Sequence, residues 1–174
     1  MKSIPLISLT SLFLFASCQK KETTAAVTEP AVSLDSYFTE TAPTDPQPIH
    51  LVRTTAKAGD TVTVSGKVMG RLHPFVDGRA AFVLGDPEKI SSCDTMPDDE
   101  CETPWDACCE TKEALQQATA TIQIVGADGR VLKSSAKGSH GLKELSTVTL
   151  TGTLDKASTP EALVINAAVL HVAN

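Results

Sequence analysis

Aromatic residues are scarce in this chain. They make up 4% of 174 residues, with one Trp and one Tyr, so a packed core has to be built from Val, Leu, Ile and Ala. A shortage of aromatics and a net charge of −6 also remove the two things a single-strand nucleic-acid binder needs, stacking platforms and a basic groove. No C-x2-C pair occurs, which argues against zinc ribbons, where two thiolates on one tight turn reach one ion. His50, His73, His140 and His171 are scattered, with no H-x3-H or H-E-x-x-H spacing. No serine sits in a G-x-S-x-G setting. The G-x-x-G at Gly126–Gly129 belongs to a hairpin turn and not to a phosphate loop. The sequence therefore shows no catalytic constellation, and it is read as a non-enzyme that uses no cofactor.

The first residues explain themselves. Lys2 is a short positive region, and Ile4 to Ala16 is a 13-residue run of apolar or hydroxylated residues. That is a signal-peptide pattern over residues 1–17, too short to span a bilayer. Its end, Leu14-Phe15-Ala16-Ser17-Cys18, resembles a bacterial lipobox, although Phe15 stands where that box usually has Leu. The resemblance implies that Cys18 is acylated and becomes the mature N-terminus, and several acyl chains at one residue anchor stably where a single chain does not. The expected location is the cell envelope, facing the periplasm or the exterior, with the membrane as a partner through the lipid. Gln19, in place of the Asp that favours inner-membrane retention in enteric-type bacteria, leaves outer-membrane delivery open. Residues 18–48 are rich in Thr, Ala, Pro, Glu and Gln and read as a flexible linker, with a root-mean-square reach of roughly 30 Å. Leu34, Tyr37 and Phe38 stand out from it. They are expected to dock on the following domain, the alternative being a partner motif.

From Ile49 to the end the pattern is β. GDTVTVSGKVMG alternates, with Val62, Val64 and Val68 on one side and Gly66 among them, where a glycine suits a bulge or a sharp coil. RAAFVLGD is a second strand, TATIQIVGADGRVLK a third strand running into a hairpin, STVTLTGTL a fourth, and ALVINAAVLHV a fifth, apolar on both sides. ETKEALQQA makes about two turns of helix, and SAKGSHGLKEL has room for one. Five short strands bury one face and hide their edges as a small barrel. The expected fold is thus all-β: a five-stranded barrel over 49–174 with one or two short helices and a Cys-rich loop inserted between strands two and three. The order resembles the OB-fold. PFVDGRAAFVLGDP, followed by Cys93, Cys101, Thr103 to Asp106, Cys108 and Cys109, also resembles uncharacterised envelope lipoproteins with an OB-type domain. That likeness implies no established activity.

The inserted loop holds four of the five cysteines. With Cys18 assigned to lipid, Cys93, Cys101, Cys108 and Cys109 remain, all local and in an oxidising space. Adjacent Cys108 and Cys109 point apart in regular backbone, so Cys93 and Cys101 are expected to bond to them in one order or the other. Each bridge would contribute roughly 2–3 kcal/mol. The alternative is a metal site made by the same four thiols with Asp94, Asp98, Asp99 or His73. Thiol redox exchange ranks lower, because the surroundings are negative and a thiolate wants a positive one. Calcium lacks its D-x-D-x-D-G spacing. Residues 86–113 carry ten acids against Lys89 and Lys112, so the acidity of the chain belongs to this insertion. Trp105 reads as the anchor of the loop on the barrel or as a recognition aromatic. Together with Arg71, His73, Phe75 and Arg79 around the turn after strand one, it is the candidate surface for an envelope protein or glycan.

Overall fold

In the computed structural model, residues 32–96 and 100–173 are described. The alternating stretch forms β2, Thr61–Lys67, and Val64 and Val68 on its inner side are fully buried. On its outer side, hydroxyls pair across to a neighbouring strand: Thr63 with Thr151 at 2.8 Å and Thr149 donating to Ser65 at 3.2 Å. Such cross-strand pairs fix register as well as adding stability. The other barrel strands are β3 (Ala81–Gly85), β4 (Thr119–Gln123), β5 (Thr147–Leu154) and β6 (Leu163–Val172). A two-residue strand, β1 (Gln47–Pro48), lies parallel beside β2.

The sheet runs β1-β2-β3-β4-β6-β5, and β5 returns to β2. Strands β2 to β6 thus close on themselves, antiparallel throughout except for the parallel pair β4–β6. This is the small OB-like barrel expected from strand count and alternation. β2 pairs along seven residues with β5 but through Lys67 alone with β3, so it coils from one side of the barrel to the other. Gly66 permits the coil, since a Cβ there would stand 2.7 Å from the Gly85 carbonyl oxygen.

Strand β6 resolves its two apolar faces with a bulge. Thr151 opposes Val169 while Gly152 opposes Ala167, which leaves Ala168 extra and exposed. The parity of the strand changes there, so Leu163, Ile165 and Ala167 before the bulge and Leu170 and Val172 after it all reach the core. Two half-faces in the sequence become one continuous stripe.

Two stretches depart from the expected β start at Ile49. Ile49–Thr55 is a helix, α1, in spite of its β-branched residues. Ile49 and Val52, three apart on one helical face, are both buried in the main core, and that burial outweighs weak local propensity. Upstream, the 18–48 linker is already packed chain by Leu34. Leu34 is buried, the Tyr37 hydroxyl donates to the Val125 carbonyl at 3.1 Å, Phe38 stacks on His140 at 4.5 Å, and the Thr39 amide donates to Leu170 at 2.8 Å. The three apolar residues that stood out from the linker are the ones that dock, so the folded unit begins before Ile49. Residues 1–17, read as a signal segment, together with Cys18 and the chain up to residue 31, lie outside the described residues, as do residues 97–99. Among the described residues no helix is long and apolar enough to cross a membrane.

The main core fills the barrel. A second, small cluster of Met69, Ile90 and Ala118, with Ala114 and Leu115 against it, lies under the start and end of the insertion.

Candidate functional site

The insertion leaves β3 at Gly85 and returns through α2, Lys112–Ala118, capped by the Thr111 hydroxyl accepting the Ala114 amide at 3.1 Å. Its exit is pinned by Asp86, which is 1% exposed. The Asp86 carboxylate accepts the backbone amides of His50 and Glu88, both at 3.0 Å, and lies 2.8 Å from His50 Nδ1. The arrangement ties the insertion to α1. His50, Asp86 and Glu88 bring ligand atoms within 4.8 Å of one another, but the Asp86 oxygens are already engaged in holding backbone, as a buried carboxylate must be.

Further along, the loop folds against itself. The Cys93 amide donates to the Asp106 carbonyl and the Asp94 amide to the Pro104 carbonyl, both at 2.9 Å. Trp105, between them, fastens the loop to the segment after β2: the Gly70 amide donates to the Trp105 carbonyl, and the indole N–H donates to the Leu72 carbonyl, each at 3.0 Å. Lys67, at the end of β2, reaches the Asp94 carboxylate at 2.8 Å and the Ser92 hydroxyl at 3.2 Å. Partial burial pushes the Asp94 carboxyl up, yet its bonds from Lys67 and Ser92 outweigh that and hold it below the usual carboxylate range.

This folding gathers three of the four loop cysteines. The sulfurs of Cys93, Cys101 and Cys108 lie within 4.8 Å of one another, and those of Cys93 and Cys108 are 3.7 Å apart. Cys93 is buried, Cys101 half-buried and Cys108 exposed, so the group is a shallow cup with one sulfur at its floor. Burial, and then its neighbours Cys108 and Cys101, push the Cys93 thiol up to about 12. A disulfide has sulfurs about 2.05 Å apart, so the Cys93–Cys108 separation is that of two sulfurs in contact. Cys109, next in the chain, is not one of the three. Asp98 and Asp99, named with the thiols as metal donors, lie outside the described residues. Asp94 turns to Lys67 instead of to the sulfurs, and His73 lines a different feature.

That feature is a hollow of about 240 Å³ beside the turn after β2, lined by His73, Phe75 and Trp105 with Leu72, Pro74, Asp77, Lys137 and Glu144. Three of the five nominated surface residues therefore come together. Arg71 lines a separate hollow with Glu110, Lys112 and Glu161, and Arg79 is exposed on the turn without lining either. Sequence reasoning missed Leu72 and Val76, which are 51% and 47% exposed on the same turn; apolar residues set among polar turn residues were the signal available. It also missed Lys137, whose ammonium lies 5.8 Å from the centre of the Phe75 ring and bonds Glu144. Only the barrel brings position 137 there, so local sequence held no sign of it.

Comparison with protein-family models, with characterised proteins and with solved structures finds no match to this chain.

Proposed function

We propose that this protein is a non-enzymatic binding module of the cell envelope. It is tethered to a membrane through acylated Cys18, and it presents the face around Trp105 to an envelope protein or glycan. The observation that carries the reading is the indole bond to the Leu72 carbonyl at 3.0 Å. It joins the insertion to the turn after β2, so that the single Trp, Phe75 and His73 share one hollow beside exposed Leu72 and Val76. An aromatic fixed by its polar end, with its ring at a partly open rim, is suited to recognition at little entropic cost. The acidic insertion alongside it, with ten acids against two lysines, favours a partner of neutral or basic surface.

Two measurements test the reading. Cys18→Ser is expected to move the protein from membranes to the soluble fraction; continued acylation and membrane association would remove the tether from the account. A photo-crosslinking residue placed at Val76 is expected to capture a discrete envelope species, and the same residue at Lys156, on the far turn after β5, is not. Trp105→Ala should abolish that product. Equal capture from both positions, or no effect of Trp105→Ala, would contradict the proposed face.

A further inference from the structure

We infer that Cys93, Cys101 and Cys108 form a three-thiolate site for a thiophilic d10 cation of the zinc class, independently of the surface around Trp105. Distance is the first argument. Two thiolates on one tetrahedral ion, each about 2.3 Å from it, stand about 3.8 Å apart. Cys93 and Cys108 are 3.7 Å apart, and the three sulfurs lie within 4.8 Å of one another. A disulfide would bring the first pair together to about 2.05 Å.

Preorganisation is the second argument. The spacing x7 and x6 between these cysteines lacks the tight turn that ordinarily delivers two thiolates to one ion. Here the paired backbones of 93–94 and 104–106 do it instead, each at 2.9 Å, and Lys67 holds Asp94 from the barrel side. The bonds that bring Cys93 beside Asp106 do not involve sulfur, and the Cys101 thiol is held locally by Thr103 at 3.5 Å. A ligand would therefore meet a formed site and lose little affinity to ordering it.

Charge and donor type are the third. The insertion is strongly negative and raises the local concentration of cations. Soft sulfur donors then select zinc-like or monovalent copper ions over calcium or magnesium. On binding, three S–H bonds give their protons to solvent as three sulfur–metal bonds form, with no change in oxidation state. Cys93 supplies the buried ligand and Cys108 the one at the mouth. A tetrahedral ion takes its fourth donor from water at the exposed side.

The test uses the full chain, purified without chelator, and zinc as the probe. Native mass spectrometry and thiol titration of the protein as isolated, and again after reduction and zinc addition, are expected to show one zinc per chain. Cys108→Ser, an exposed position that leaves the barrel core untouched, should weaken zinc about 100-fold or more. Cys101→Ser should do the same, and Cys109→Ser should change affinity little. Cadmium in place of zinc should give a thiolate charge-transfer band that is reduced in Cys108→Ser. Zinc should also shift the emission of Trp105, which lies between two of the ligands. A protein isolated with four hydrogens missing from its mass and no titratable thiol would overturn the site. So would a reduced protein that takes no stoichiometric zinc, or one in which Cys109→Ser costs as much affinity as Cys108→Ser.

Discussion

Strands β2 to β6 bury Val64, Phe82, Leu84, Ile122, Leu150, Ile165 and Leu170 almost completely, and their pairing joins residues as far apart in the chain as Thr61 and Thr153. Residues 86–113, within the same molecule, add only Ile90, Cys93 and Ala107 among the described residues to the buried apolar set and carry nearly half of the acids. The barrel is held by apolar burial, which is non-directional and summed over many contacts. The insertion is held by a few directed bonds: Asp86 to α1, the backbone pairs at 93–94, Trp105 to Gly70 and Leu72, and Lys67 to Asp94. An element held this way can be loosened without unfolding its support. The chain thus separates a part held by burial from a part held by directed bonds, and the second is the one proposed to bind.

The largest predicted effect breaks the supporting side. Phe82→Ala removes a fully buried ring from the barrel core and should lower stability by about 3–5 kcal/mol in urea unfolding, taking the insertion with it. A loss below about 1 kcal/mol would mean that the core is not where the stability lies. Next is Arg53, on α1, whose guanidinium donates to the carbonyls of Gln117, Thr119 and Pro160. Desolvation pulls its pKa down while Glu161 nearby opposes that. Arg53→Met leaves those carbonyls to solvent or unpaired and should cost about 2 kcal/mol, with the end of α2 fraying first in hydrogen exchange.

The comparison is sharpened by Trp105→Ala. Removing the ring should cost the barrel about 1 kcal/mol or less while limited proteolysis begins to cut between residues 91 and 110. Cooperative unfolding of the whole chain at the dose that cuts the loop would show that barrel and insertion are one unit. Acid gives the smallest effect. The Asp155 carboxyl is held below its ordinary value of 3.8 by the Ala157 amide and then by Asn166. A carboxyl with a lowered folded pKa contributes stability that is complete above its unfolded pKa and is lost as pH falls through the folded one. The urea midpoint should therefore drop as pH falls below 3.8, and Asp155→Asn should make that drop shallower. An unchanged acid slope would show that this carboxyl does not stabilise the β5–β6 turn.

How much of this could be read from the sequence varied with how local each cause is. Alternation at 61–68, the hairpin turn at Gly126–Gly129, and the strand count were enough for the barrel, because each depends on a few neighbouring residues. Gly66 was legible as a coil point for the same reason. Helix α1 was not legible: IHLVRTT is a poor helix by composition, and only its burial against the barrel makes it one. The bulge at Ala168 hid as well, since a strand apolar on both sides shows no parity change. At the site, the cysteines, Trp105, His73 and Phe75 were visible as residues worth naming, but not their grouping. The sulfurs converge because 93–94 pairs with 104–106, and Lys137 meets Phe75 because the barrel closes. Both are non-local events that no spacing rule records.

The separation of support from binding element is tested most directly by hydrogen exchange of the full chain with and without one equivalent of zinc. The account predicts that amides of β5 and β6 are the slowest to exchange and are unaffected by zinc, while those of residues 91–110 exchange quickly without it and gain protection with it. Protection in the insertion equal to that of the barrel and indifferent to zinc would contradict the account.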